Sequence, residues 1–224
     1  MPDRYLLTHS LMYSWLYAMK GDPREDSTSK RDAYAEFLQV LRKEPTPTTN
    51  AMQFGLDFEN LVTAILHGGK VAAYHKENSN TKELTLELYP LHEHPWYEGA
   101  NDIASIIVGG QLQFKASKEI VVDGMTLLLY GRLDALKAGA IYDIKFSSKY
   151  ERGKYIDSTQ HPTYLELIPE AQDFTYLVSN GTMVWTETYA REDAPSIYPT
   201  ISAFLSWLTD TGNMATYKEK WLTK

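Results

Sequence analysis

The chain has 224 residues, a net charge of −7 and no cysteine; 43% of its residues are hydrophobic and 23% charged. That length supports one medium domain with a real core, and the balance excludes disordered and membrane classes. The missing cysteine excludes disulfides, zinc–thiolate sites and iron–sulfur clusters and suits a cytoplasmic setting. The acidic charge argues against a protein that coats nucleic acid nonspecifically, but leaves room for a local basic patch beside a metal.

The opening MPDRYLLTHSLMYSWLYAMKGD is too broken by polar residues for a secretory signal, and no run approaches the ~20 apolar residues of a membrane span. Residues 8–19 and 31–43 read as helices around a polar loop at 21–30, and Pro45 and Pro47 then mark a break. Asn50 is the expected cap of the next helix, AMQFGLDFENLVTAILHGG, which ends at Gly68 and Gly69. Its apolar stripe is Phe54, Phe58, Leu61, Val62, Ile65 and Leu66, with Glu59 at the edge, one turn beyond Gly55. Gly55 leaves room for another element to approach that carboxylate.

The stretch 70–95 is ambiguous: 82–89 fits a strand or a short helix, and His92 and His94 in HEHP read as a loop rather than a metal site. A helix is expected over 102–108, stopped by Gly109 and Gly110. The strongest hairpin signal follows, QLQFKASKEIVV and MTLLLYGRLDAL joined by Asp123 and Gly124. Ser158 and Thr159 can cap a helix through TQHPTYLELIP, with Pro162 tolerated in its first turn. A second hairpin, DFTYLVS to TMVWTETYA, turns at Asn180 and Gly181. A last amphipathic helix spans 199–208, before a polar tail with Trp221. The expected organisation is a single domain over 1–224: a helical extension at 1–49, a core at 50–190, and a C-terminal helix and tail at 191–224.

The chemistry concentrates in LLLYGRLDALKAGAIYDIKFS at 127–147, one strand ending in an acid, a tight turn at 137–139, and a second strand. Strand alternation places Ile141, Asp143 and Lys145 on one face and Tyr142, Ile144 and Phe146 on the other. Asp134 on the neighbouring strand can reach the same place. Two converging carboxylates hold a hard divalent cation, and a lysine beside them handles a proton or a phosphate. Alone, Asp-x-Lys also describes many surface ion pairs. Lys149, Arg152 and Lys154 form the best basic cluster beside it, opposed by Glu151. Gln160 and Tyr164, four apart, share one helical face.

In this order the elements resemble the RecB-like branch of the PD-(D/E)xK nuclease superfamily, which includes phage exonucleases. Gly131-Arg132-Leu133-Asp134 is similar to its Gly-x-x-Asp strand, Asp143-Ile144-Lys145 to its acid-x-Lys strand, and Gln160 to Tyr164 to its Gln-x-x-x-Tyr helix. Glu59 looks like the core-helix acid, with Asp57 as the alternative. Gln172 and Tyr176 repeat the Gln-x-x-x-Tyr spacing but sit at an expected strand. The likeness covers roughly residues 50–190 and implies an α/β, restriction-endonuclease-like core, a small mixed sheet flanked by helices.

It further implies a Mg²⁺- or Mn²⁺-dependent deoxyribonuclease, an exonuclease rather than an endonuclease, working in recombination, repair or DNA processing in a bacterial or phage-infected cell. Glu59, Asp134, Asp143 and the Ile144 carbonyl would be metal ligands, and Lys145 would complete the catalytic set. Gln160 and Tyr164 would orient the DNA strand or the lysine, and Lys149, Arg152 and Lys154 would contact DNA. The expected partners extend to a recombination or single-strand-annealing protein and to further copies of the chain. The alternative is a catalytically inactive nucleic-acid-binding or scaffold protein of the same fold.

Overall fold

The computed structural model describes residues 3–20 and 27–223, with side chains at 3–20 and 33–223. β1 (Arg4–Thr8) runs directly into α1 (His9–Lys20), and Thr8 Oγ1 closes the first helical turn by accepting from the Leu11 N–H at 3.2 Å. α2 (Ser27–Leu41) is already helical at the end of the expected 21–30 loop, whose residues 21–26 lie outside the described set. α3 (Asn50–Leu66) is capped by Thr49, not Asn50: Thr49 Oγ1 accepts from the Met52 N–H at 3.2 Å. Asn50 is the first helical residue instead, and its amide donates to Glu77 and to the Lys82 carbonyl.

The ambiguous 70–95 stretch is a hairpin of β2 (Val71–Glu77) and β3 (Leu84–Pro90), followed by a 3-10 turn at Leu91–Glu93. α4 (Tyr97–Ile107) starts well before 102. β4 (Gln111–Val122), β5 (Met125–Lys137), β6 (Ala140–Phe146), α5 (Gln160–Leu167), β7 (Asp173–Ser179), β8 (Val184–Ala190) and α6 (Tyr198–Asp210) fall close to their expected places. The C-terminal segment is no loose tail: it forms α7 (Met214–Trp221) and β9 (Leu222–Thr223).

The fold is α/β, with one seven-stranded mixed sheet in the order β8-β7-β6-β5-β1-β9 and β4 also on β5. β4 pairs antiparallel along almost all of β5, through a turn in which Asp123 and Gly124 take φ of 50° and 76°, as a type I′ turn requires. β4 fills one edge of β5, so β1 and β6 must share the other. β1 pairs parallel along residues 127–130 of β5, and β6 antiparallel along 135–137. Residues 131–134 of β5 therefore have no strand partner on that edge among the described residues. The C-terminal ends of β1 and β6 face each other across this gap.

Helices cover both faces. α1, α2, α5, α6 and α7 pack into one core, which includes Leu7, Leu11, Phe37, Leu133, Ile141, Tyr164, Phe174, Phe204 and Tyr217. α3 and α4 build the other, around Phe58, Leu61, Val62, Ile103, Ile107 and Leu177. Each such side chain contributes roughly 1.5–3 kcal/mol by leaving water. The terminal segments expected as extension and tail belong to the first core. Trp221 is buried with Nε1 donating to the Leu41 carbonyl at 2.8 Å, and β9 extends the sheet beside β1.

Candidate functional site

Asp134, Asp143 and Lys145 meet at the gap. After Tyr142, β6 leaves β5 and continues alongside β7, with Asp143 opposite Tyr176 and Lys145 opposite Val178. That divergence frees the Ile144 N–H, and Asp134 Oδ2 accepts it at 2.7 Å. A strand residue's N–H and C=O point to the same edge, so the Ile144 carbonyl also faces the fork. Asp143 is 3% exposed: its Oδ1 accepts from Gln160 Nε2, and its Oδ2 stands 2.6 Å from Lys145 Nζ. The expected face sharing of Ile141, Asp143 and Lys145 holds: Ile141 belongs to the first core, while Tyr142, Ile144 and Phe146 pack on the second.

A break in alternation marks Asp134. Leu133 and its partner Phe114 pack in the first core, yet Ala135 and its partner Leu112, two residues on, pack in the second. Between Leu112 and Phe114 stands Gln113, with φ of 51° and no ladder partner. A left-handed non-glycine residue is a costly conformation that clusters at functional sites. Here it flips both strands between faces, and Gln113 Nε2 donates to Glu59 Oε1 at 2.6 Å. Glu59 is thereby tied to the strand opposite Asp134. Asp57 is engaged elsewhere, with the His75 N–H and Nδ1 each 2.8 Å from its Oδ2. Gly55, expected to make room for another element, faces open space.

The electrostatics follow from this convergence. Burial, then the charges of Asp143 and Glu59, push the Asp134 carboxyl well above its ordinary value. Burial works against the charged Lys145, but Asp143, Asp134 and Glu59 outweigh it and hold its pKa above the usual lysine value. Oxygen donors carrying excess negative charge suit a hard divalent cation. Among the described residues, no three His, Asp or Glu side chains are already gathered closely enough to hold an ion on their own.

α5 supports the acids. Gln160 is buried and bound to Asp143, aided at the helix start by the Gln160 N–H donating to Ser158 Oγ at 3.1 Å. Thr159 holds the N-cap position of that helix, but its side chain makes no capping bond; its hydroxyl donates to the His9 carbonyl at 3.0 Å. Tyr164 is buried, with its hydroxyl donating to the Arg132 carbonyl inside the gap at 3.0 Å. Its ring occupies the space a side chain at Gly131 would need: a Cβ there would collide with the ring and lie 2.9 Å from Leu167 Cδ1. Tyr176 sits on strand β7, and Gln172 precedes that strand, donating from Nε2 to the Glu170 carbonyl at 3.4 Å.

Lys149, Arg152 and Lys154 are exposed on the 147–159 loop and line a cavity of about 350 Å³. Lys154 also joins Lys145, Gln160, His9, Tyr13 and Tyr155 around a cavity of about 240 Å³ at the acidic site. Glu187 on β8 anchors the loop, accepting from the Tyr150 and Tyr189 hydroxyls, from the Gly153 N–H at 3.1 Å and from the Tyr155 N–H at 3.3 Å. His92 is exposed, and His94 is buried with Nε2 3.2 Å from the Ala73 carbonyl, so neither approaches the acids as a ligand.

Two site residues carried no sequence signal. Gln113 is an ordinary strand position until its backbone is seen. His9 follows β1 and stacks edge-on against Tyr164 with ring centroids 5.3 Å apart. Burial and the Lys145 charge lower its pKa to about 3, leaving it neutral. Recognising β1 would have placed His9 at a strand's C-terminal end, where open α/β sheets put their ligands.

No protein-family model matches the chain, and no curated protein does. A solved structure described as "Crystal structure of SSO0001" is similar over 94% of this chain and 78% of that one, at 13% identity and a TM-score of 0.47. A likeness this weak carries no functional argument. Among the described residues no helix is long and apolar enough to cross a membrane.

Proposed function

We propose that the chain is a divalent-metal-dependent nuclease that hydrolyses phosphodiester bonds of DNA, acting as an exonuclease in recombination, repair or DNA processing. The observation that carries the reading is the convergence of Asp134, Asp143 and Lys145 on an edge of β5 that no strand of the described residues fills. Asp134, Asp143, the Ile144 carbonyl and Glu59 are the donors that would hold Mg²⁺ or Mn²⁺; their all-oxygen chemistry fits a hard cation. When bound, such an ion supplies an acidified water and neutralises charge on the phosphate.

The chain's own residues do the rest. Lys145, kept as an ammonium by its carboxylate neighbours, donates hydrogen bonds to a phosphate oxygen and stabilises charge that grows there. Gln160 fixes the Asp143 carboxylate, and Tyr164 fixes the β5 backbone between Gly131 and Asp134. Lys154 lines the cavity at the site, where it can meet the strand's phosphates.

The test is cleavage of end-labelled linear and circular DNA with Mg²⁺ or Mn²⁺. Linear DNA should be degraded and circular DNA spared, EDTA should silence the reaction, and Asp143→Ala or Lys145→Ala should abolish it while the fold is kept. A loss of several kcal/mol in barrier is expected, each ~1.4 kcal/mol being tenfold in rate. Wild-type cleavage by either purified variant overturns the reading. The second reading is a non-catalytic binding or scaffold protein of this fold. That reading predicts DNA binding with no cleavage in any divalent ion.

A further inference from the structure

The end of β6 opens onto a second cavity on its other face. Phe146 follows Lys145 directly, so alternation sends it to the α3–α4 side. There Phe54, Tyr74, Trp96 and Phe146 line a cavity of about 700 Å³. Trp96 lies 4.3 Å from Phe146, 4.8 Å from Tyr74 and 6.1 Å from Phe54, ring centre to ring centre. All four rings are only partly buried.

His75 lines the same cavity and is held through Nδ1 by the nearly fully buried Asp57, which Gln53 Nε2 also contacts at 2.9 Å. That leaves His75 Nε2 without a partner among the described residues. Lys154 lines both this cavity and the one at Lys145.

We propose that this cavity holds an unpaired base of the DNA strand whose phosphodiester lies at Asp134, Asp143 and Lys145. The inference rests on the nucleic-acid reading of that acidic site and narrows its substrate to strands with unpaired bases. Its volume is in the range of small-ligand pockets, roughly 300–1,000 Å³. Flat aromatic walls stack any base without sequence preference. Bases inside a duplex already have both faces covered, so only an unpaired one can use the walls. Lys154 bridges the two cavities where the linking phosphate would pass. His75 Nε2 offers a hydrogen bond to the edge of a base stacked on the rings.

The test measures binding in EDTA, so that cleavage plays no part. A fluorescent oligothymidylate and an abasic strand with the same phosphates are titrated with wild type, Phe54→Leu and Tyr74→Leu, the leucines keeping apolar volume without a flat face. Wild type should bind the base-bearing strand at least ~5-fold more tightly than the abasic one, the lower end of what stacking one base contributes. Either leucine variant should lose that preference while its binding of the abasic strand is unchanged. Base-dependent binding that needs these rings supports the site whether or not the strand is cleaved when Mg²⁺ is added. Equal affinity of wild type for the two strands overturns it, even if cleavage proceeds. Folded leucine variants that keep the full preference overturn it as well.

Discussion

Gln160→Leu separates a positioning role from a DNA contact. Gln160 is buried, and its amide donates to Asp143 Oδ1, which lies in a carboxylate only 3% exposed. Leucine keeps a similar volume on a side chain one atom shorter and removes the donor, leaving Asp143 with Lys145 alone at 2.6 Å. An unsatisfied buried acceptor costs about 1–3 kcal/mol. In a domain of this size each kcal/mol lowers Tm by roughly 2–4 °C, so a drop of about 2–12 °C is expected.

The carboxylate should also turn toward Lys145, away from the fork. Misplacement of a reacting group by about 1 Å can cost on the order of 100-fold in rate. On the proposed nuclease reading, the expected kinetic signature is a kcat lowered by roughly one to two orders of magnitude, with a higher Mg²⁺ concentration for half-activation and KM for DNA near wild type. The assay is steady-state cleavage of linear DNA across a Mg²⁺ titration, alongside thermal melting. A raised KM with unchanged kcat and unchanged Mg²⁺ requirement would refute the reasoning and return Gln160 to the DNA surface.

Gly131→Ala puts a methyl group into the Tyr164 ring, which cannot retreat without breaking its bond to the Arg132 carbonyl; overpacking of this kind costs about 1–3 kcal/mol, and melting should show it together with loss of activity. A variant as stable and active as wild type would show that the gap is not held by Tyr164. Glu187→Gln should melt several degrees lower at neutral pH, because an amide NH₂ would face the donors that now converge on the carboxylate, at about 1–3 kcal/mol. Burial works to raise the Glu187 pKa, but hydrogen bonds from Tyr150, Tyr189, Gly153 and Tyr155 outweigh it and hold the pKa below the ordinary glutamate value of 4.5. Its ionised form thus stabilises the fold fully above pH 4.5 and loses that contribution as pH falls through the lowered value. The gap in Tm between wild type and Glu187→Gln should narrow below pH 4.5, and a gap that widens in acid contradicts the argument.

What was legible in the sequence depended on local rules that nothing overrode. Asp123 and Gly124 announce a type I′ turn, and the β4–β5 hairpin followed. Alternation along 141–146 separated Asp143 and Lys145 from Phe146 correctly. β1 was missed because its leucines merge with the apolar pattern of α1, and a short strand gains its stability only from β5 and β9 beside it. α7 was missed because MATYKEKW looks polar: only Tyr217 and Trp221 are buried, and both are held from afar, by the Leu6 and Leu41 carbonyls. The cap at Thr49 was within reach of the same capping rule that suggested Asn50, one residue away. Asn50 was drawn off by Glu77 and Lys82, contacts that no local pattern shows.

The least legible feature is the one on which the site depends. A sheet edge left open over residues 131–134 strands backbone groups that must find other partners. Tyr164 takes one and Asp134 takes the N–H that β6 releases, so the residues that satisfy the gap are those that shape the site. The gap exists because β1 stops at Thr8 and β6 diverges after Tyr142, two events encoded more than a hundred residues apart. Neither stretch signals it alone. The Gly-x-x-Asp spacing makes sense in that setting: Gly131 admits the tyrosine at one end of the open edge, and Asp134 bridges the fork at the other. A motif that looks like four loosely spaced letters is the local trace of a junction of β1, β5 and β6, which ties the N-terminal strand to the acids.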